Sequence, residues 1–571
     1  FNPEGVSLVK RLDYRAGAVF INGALGARLP APDAIACSNF EGGDVALALP
    51  LVAQNGKTHS ECPVGLANGL AAYHLELAPG ESRTLAVQMP MKPEPRDDDD
   101  PTPLPSVAPA GELRTAAVST WREKLARGMR VQLPDEKLQS AFDANKAFLL
   151  LLHDGESITP GPFTYHQFWF RDAAYLLNAL DKLGYHDESR VVLERYAKRL
   201  EKDGYLRATE GEWDSNGAAI WTMVENARLT GDKNLLSGNY WSLLRMAAWI
   251  HSKRQRSKDK GAKSPHFGLL PPGPSAEHLG PNDYFYWDDF WGLAGLRDAA
   301  QAAEWLGQTN DAKKLRANFD SFRADVDASL ALAAVRLGRP AMPASPYRRL
   351  DAAMIGNLAA LYPLRLSEPG DARLADTLTA LKQFAMVQDA YFNHVGHSAF
   401  GTYLSLHIAQ CLLFQRNPDA WHIIQWVLQH ASPTFTWAEG IHPVTLGGAM
   451  GDGHHGWALA DFLLVVRNAL LFEEGNHLVI TPALPQDWTF ETSVIKVQDA
   501  PTYFGRVSYT IAFGPRTGTL VVNGEWREAP SYVEWNLPYP LREAGTDTGS
   551  AEIIGNVVRM PRGARRVVAM W

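Results

Sequence analysis

The sequence predicts a multidomain, mainly α protein: an (α/α)6 toroid flanked by N-terminal and C-terminal β-sandwich-like domains. Three observations predict it. From Pro134 to about residue 474 the apolar residues recur with a helical period near 3.6. The helices so marked fall into two kinds, amphipathic and apolar all round, as an outer and an inner ring require. Both ends of the chain instead show short alternating runs separated by Gly, Pro and Asn, the pattern of antiparallel strands.

At the N-terminus, residues 1–95 read as an antiparallel β-sandwich, with Gly17–Ile21, Val45–Leu51 and Ser82–Met89 among its strands. Residues 96–133 are expected to be an acidic, Pro-rich linker and lead-in. The stretch Lys92–Pro105 (KPEPRDDDDPTPLP) carries four consecutive aspartates and too little apolar surface to order itself. The aspartates lack calcium-loop spacing, so no metal site is expected there.

The toroid is expected over 134–474. Twelve helices are predicted near 137–153, 170–184, 187–202, 215–230, 233–254, 287–306, 309–337, 351–361, 371–386, 399–415, 418–431 and 455–474. Asp187–Asp203 is typical of the amphipathic kind; Ala173–Leu183, Phe290–Ala300 and Ala458–Leu471 are apolar on every face. A solenoid would show self-similarity at a fixed period, and none is present. After Glu474-Gly475 the pattern returns to strands, including His477–Thr481, Ser493–Val497, Tyr503–Phe513, Leu520–Val522 and Val557–Met560, so 475–571 is expected to be a C-terminal β domain.

Bulk properties exclude several functions. The 571 residues carry a net charge of −8, which leaves no basic stripe for nucleic acid. No apolar run reaches the roughly 18–20 residues of a membrane span. The chain starts Phe1-Asn2-Pro3-Glu4, as expected of a processed or truncated product, and the compartment stays open. The three cysteines fit no zinc or disulfide framework; Cys37 and Cys62 are near enough in sequence to pair, and Cys411 reads as a buried helical residue. No P-loop, nucleophile elbow or dinucleotide fingerprint occurs in a suitable context, and no cofactor is implied.

In a toroid the loops entering the inner helices gather at one end. Three of these loops are rich in acids, tryptophans and histidines: Tyr165–Asp172 (YHQFWFRD), Tyr284–Phe290 (YFYWDDF) and Trp437–Trp457 (WAEGIHPVTLGGAMGDGHHGW). Paired acids among aromatic rings suit a sugar, whose apolar faces stack on rings and whose acetal oxygen needs a proton donor. Asp288 and Asp289 open a buried helix among aromatics that favour the protonated form of one of them; capping explains the other. Glu439, between Trp437 and a glycine-rich loop, is a candidate base. Trp169, Trp287, Trp291 and Trp437 are candidate stacking walls. Arg171 and Asp172 form either a buried salt bridge or a grip on sugar hydroxyls. Asp452, His454 and His455 are expected to bind hydroxyls, with capping open to Asp452. Trp213, Tyr286 and His397 complete the candidate set; Asp214, Ser215 and Ser398 read as caps.

These residues carry a resemblance. Roughly residues 134–490 resemble six-hairpin glycosidases of the glucoamylase, trehalase and processing α-glucosidase kind. Phe168–Asp172 (FWFRD) is similar to the glucoamylase Trp-x-Arg-Asp segment, which implies that Arg171 and Asp172 hold a terminal sugar. Tyr286–Asp289 (YWDD) sits where the family carries its general acid, which implies that role for Asp288; trehalases and processing glucosidases use an aspartate there. Glu439 matches the placement of the family's general base, and His477–Trp488 (HLVITPALPQDW) the strand leaving the toroid. The resemblance implies an inverting glycoside hydrolase acting on an oligo- or polysaccharide, an α-glucoside being one case. The alternatives are a polysaccharide lyase on a uronate polymer, for which Tyr284, Tyr286, His397 and His455 offer a Tyr/His pair, and a non-catalytic carbohydrate-binding protein. A toroidal epimerase, needing no β domains, fits less well.

Overall fold

Helices that are apolar on every face must be covered on every side, and a closed ring does this. The computed structural model describes residues 8–48, 56–90, 108–258, 264–274 and 279–571. Six almost wholly buried segments form its centre: helices Phe170–Lys182, Ser215–Thr230, Tyr286–Trp305, Thr402–Phe414 and Gly456–Leu470, and a 3-10 segment Ala352–Ala360. Each packs against the next in chain order, and the last returns to the first, so the ring is closed. Two glycines set one of these approaches. A Cβ on Gly217 would lie 2.1 Å from the Trp291 carbonyl oxygen, and one on Gly295 would lie 2.8 Å from the Gly217 Cα.

The outer layer consists of Glu136–Leu151, His186–Leu193, Tyr240–Lys258, Thr309–Leu337, Ala372–Phe384 and Ala420–Gln429. Each buries one face against an inner segment. Glu136–Leu151, first in sequence, packs on Gly456–Leu470, the last.

The helices depart from the expected bounds where tertiary contacts outweigh periodicity. The helix predicted at 187–202 stops at Leu193 and resumes as a 3-10 turn, Tyr196–Arg199. There Tyr196 packs on Phe170 at 5.1 Å and Arg199 stacks 4.0 Å over Phe168. The helix predicted at 233–254 divides at Asn239. Ala399–Gly401 and Leu471–Glu474, read as helix ends, are strands.

Residues 1–121 and 122–571 form separate compact units. In the first, Ala24–Arg28, Ala18–Ile21, Arg11–Arg15 and His59–Glu61 make a four-stranded antiparallel sheet, and Ala34–Ser38 pairs with Asn68–Ala72. Cys37 and Cys62 share a small core with Leu12 and Ala67, yet both are free thiols, so the pairing open to them is not made. Val45–Ala48 is a 3-10 turn rather than a strand; residues 49–51, at the end of that predicted strand, lie outside the described residues. Ser82–Met89 contributes only an isolated bridge from Gln88 to Arg28, because its side chains have no buried face to pin them. Most of the predicted linker, including its four aspartates, also lies outside the described residues. Within the expected lead-in, Ala110–Ala126 is a 17-residue helix without a buried residue.

Two sheets follow the helices in the second unit. Leu471–Glu474, His477–Ile480, Tyr532–Asn536, Val557–Pro561 and Glu552–Ile554 form one. The other is seven-stranded, and its edge strand is Arg130–Gln132, from before the helices, paired antiparallel with Val494–Thr502. Arg467 joins these sheets to the ring. Fully buried, it meets Glu473 at 2.5 Å and donates to the carbonyls of Leu471 and Pro501. Burial opposes the charge of Glu473, but Arg467 and Lys182 hold its carboxyl down at about 2. Arg467→Met keeps the chain length and leaves that buried carboxylate with Lys182 as its remaining cation, 3.2 Å away. It is expected to cost about 3–5 kcal/mol, measured as a fall in the thermal or urea midpoint; a parent-like midpoint would contradict the account.

Candidate active site

The six inner segments point the same way, so their N-terminal ends share one mouth. Unpaired N–H groups and the helix dipoles favour acids there. Arg171 opens the first inner helix and is buried. Its guanidinium reaches Glu212 at 3.1 Å and Asp214 at 3.2 Å, with Asp172 at 3.9 Å. Asp214 precedes the second inner helix without capping it, and instead accepts a 3.0 Å hydrogen bond from the Trp287 indole N–H. The close approach at Gly217 thus brings Asp214 against the third inner helix, on which Asp288 follows Trp287.

Asp288 is 2% exposed. Burial pushes its carboxyl well above the ordinary carboxylate range, and the charges of Asp214, Asp289 and Glu212 push the same way, against Arg171. Burial also raises Asp172 to about 7; Arg171 opposes this, while Glu439 and Glu212 reinforce it. Asp289 is turned elsewhere. Its carboxylate accepts a 2.8 Å hydrogen bond from the Leu270 backbone N–H, and burial raises it to about 8 against that bond and Arg254. The two adjacent aspartates therefore differ: Asp288 interacts with the Arg171 cluster, and Asp289 ties down the segment around Leu270.

Glu439 comes from the loop before the last inner helix. That loop contains short strands, Gly440–Ile441 and Gly448–Met450, the first paired with Ala399–Gly401. Thr402 adds a hydroxyl bond to the Ala438 carbonyl. These contacts fix Glu439, which is 7% exposed and accepts a 2.7 Å hydrogen bond from the Tyr165 hydroxyl. Tyr165 and Trp169 meet edge to face at 5.8 Å, with Trp169 half-buried. His397 lies near the same loop, its ring 3.6 Å from where a Cβ on Gly440 would sit.

Several candidates are occupied otherwise than expected. Trp291 is wholly buried among Tyr175, Trp221 and Trp287, because the ring interior needs large side chains. Trp437 donates to the Val427 carbonyl and packs on Phe462. Trp287 is 1% exposed. These three are packing residues rather than open stacking walls. Tyr286 points outward to Ser329, 2.7 Å away. Trp213 lies under Lys253, at 3.5 Å, and beside Trp249. Asp452 accepts from the backbone N–H groups of Phe163, Thr164 and Tyr165, which hold its carboxyl below its ordinary value despite burial; it stitches two mouth loops together. His454 meets Phe148 edge-on at 5.0 Å. His455 caps the last inner helix, packs near Tyr165 and Tyr403, and is lowered by burial against the pull of Glu439 and Asp452.

Tyr165 and Asp214 are the groups at this mouth that the sequence leaves unmarked or misreads, while Glu212, in the segment heading a further inner helix, is marked only as a secondary candidate. Asp214 carried a signal, as an acid heading a buried helix, that capping explained too readily. Among the described residues no three His, Cys, Asp or Glu side chains converge as metal ligands, and no helix is long and apolar enough to cross a membrane.

No protein-family model matches the sequence, and no curated protein does. Solved structures do. A bacterial glucoamylase complexed with acarbose is 13% identical, with a TM-score of 0.55 over 79% of this chain and 72% of its own. An α-L-rhamnosidase from Dictyoglumus thermophilum is 13% identical, with a TM-score of 0.58 over 78% of this chain and 50% of its own. The likeness shows the fold: this chain shares its (α/α)6 toroid with these structures.

The raised Asp289 makes stability depend on pH. Folded, it keeps its proton up to about 8; unfolded, it loses it near 3.8. The folded state binds the extra proton in that window, so its contribution to stability falls as pH rises through it. Asp289→Asn keeps the acceptor for Leu270 and cannot ionise. Denaturant unfolding is expected to show the variant gaining on the parent from pH 5 to pH 8; a pH-independent difference would refute the assignment.

Proposed function

We propose that this protein is an inverting glycoside hydrolase acting on an oligo- or polysaccharide, with Asp288 as general acid and Glu439 as general base. The observation that carries the reading is the state of Asp288. Its burial and the charges of Asp214, Asp289 and Glu212 both favour the protonated form, the form that a donor to a leaving glycosidic oxygen needs. Glu439 stands at the same mouth, fixed by Tyr165, where it takes a proton from water attacking the anomeric carbon. Inversion requires the two carboxyl groups to stand about 6.5–9.5 Å apart, leaving room for that water.

Asp172 and Arg171 border both groups and suit binding of sugar hydroxyls, with the half-buried Trp169 offering a face for stacking. The toroid shared with a glucoamylase and an α-L-rhamnosidase makes α-linked gluco-oligosaccharides and α-L-rhamnosides the first substrates to try. The lyase reading loses support because Tyr286 bonds to Ser329 and His455 caps a helix, which leaves neither well placed to act on a uronate.

The test is hydrolysis of these substrates and of common exopolysaccharides, with the product anomer followed by NMR. Asp288→Asn and Glu439→Gln are each expected to lower kcat by about 10²–10⁴-fold while substrate binding persists. Parent-like turnover in either variant removes that residue from the mechanism, and a product of retained configuration overturns the inverting assignment.

A further inference from the structure

The opposite ends of the same inner helices surround a cavity of about 330 Å³, closed on one side by the start of the C-terminal sheets. It is near the lower end of the size range of small-molecule sites, about 300–1,000 Å³. Its wall is strongly charged, and most of that charge is matched by residues in the wall or directly behind it. Lys182 meets Glu473 at 3.2 Å, Arg297 meets Asp298 at 2.9 Å, Arg228 bridges Glu225 and Asp298, and Arg416 holds Glu474 at 2.6 Å.

Two lining groups are left over. Arg365 forms no direct ion pair and no side-chain hydrogen bond among the described residues, and the wall acids Glu474 and Glu473 act on its charge only from farther off. Its guanidinium carbon lies 3.3 Å from the centre of the Phe414 ring and 5.3 Å from that of Phe472, contacts that hold the side chain without using its N–H groups. Asn178, 3% exposed, has a side-chain carbonyl oxygen without a hydrogen-bond partner. A buried acceptor left unpaired is costly, about 1–3 kcal/mol, so such a group beside a cavity calls for a donor from outside. Glu368 also borders the cavity but is solvent-exposed, where water and salt screen its charge.

We propose that this cavity is a second ligand site, for a small oxyanion that also carries a hydroxyl group. The planar fork of Arg365 takes two oxygens of a carboxylate or phosphate, and the Asn178 carbonyl accepts the hydroxyl. Hydroxycarboxylates and sugar phosphates share this chemistry. The site stands on its own observations and does not require the hydrolytic reading of the other mouth.

Isothermal titration of the full chain with gluconate, glucose 6-phosphate, inorganic phosphate and uncharged glucose tests it. At least one of the first two is expected to bind, and which one identifies the carboxylate or the phosphate source. Arg365→Gln and Asn178→Leu are each expected to weaken that binding at least tenfold. Arg365→Lys, which keeps the charge but not the fork, is expected to fall between Arg365→Gln and the parent. Unliganded melting of each variant shows whether it is folded. Failure of the parent to bind either hydroxylated anion overturns the proposal, as does unchanged affinity in a folded Arg365→Gln. Equal binding of inorganic phosphate and glucose 6-phosphate, with Asn178→Leu silent, overturns the role given to the hydroxyl.

Discussion

Desolvation at the helix N-termini is the constraint on which the rest depends. Closing six buried segments into a ring withdraws one end of each from water, and the N–H groups there attract acids. Asp172, Glu212, Asp214, Asp288 and Glu439 consequently crowd one mouth, with Arg171 the cation among them. In this setting burial and the neighbouring acids raise the carboxyls of Asp172 and Asp288, and a proton donor is the reagent that acetal cleavage needs. The chemistry proposed for this protein thus follows from the way its core is closed.

The ring was legible in the sequence because it rests on a repeated physical contrast. A helix with a charged face must touch water and one without must not, and the alternation of Asp187–Asp203 with Ala173–Leu183 states this directly. The mouth was legible only as a location. Acids and aromatic residues heading buried helices mark which loops converge there, but residue type does not give side-chain direction. Trp291 and Trp437 were expected to be open platforms and are interior packing; Tyr286, one residue before Trp287, faces the outer layer instead. In a helix a step of one residue turns a side chain by about 100°, enough to carry Tyr286 from one environment to another.

Short pairings were not legible for a different reason. The strands flanking Glu439 are two or three residues long, too short for an alternating pattern, and their stability comes from the neighbour at Ala399–Gly401. The 3-10 segment Ala352–Ala360 reads as an ordinary helix for the same reason: its composition is apolar, and only the packing decides its winding. Asp214 was read as a cap because most acids in that position are caps; its actual partners, Arg171 and the Trp287 indole, come from other helices.

Arg130–Gln132 completes a sheet whose other strands begin at Val494. During synthesis this strip of chain leaves the ribosome hundreds of residues before its partner exists, and its edge must stay uncommitted in the meantime. Pairings so distant in sequence are slow to form, so fastening the sheet belongs to the end of folding. It acts as a buckle: the two ends of the helical stretch are clasped only after everything between them has been made.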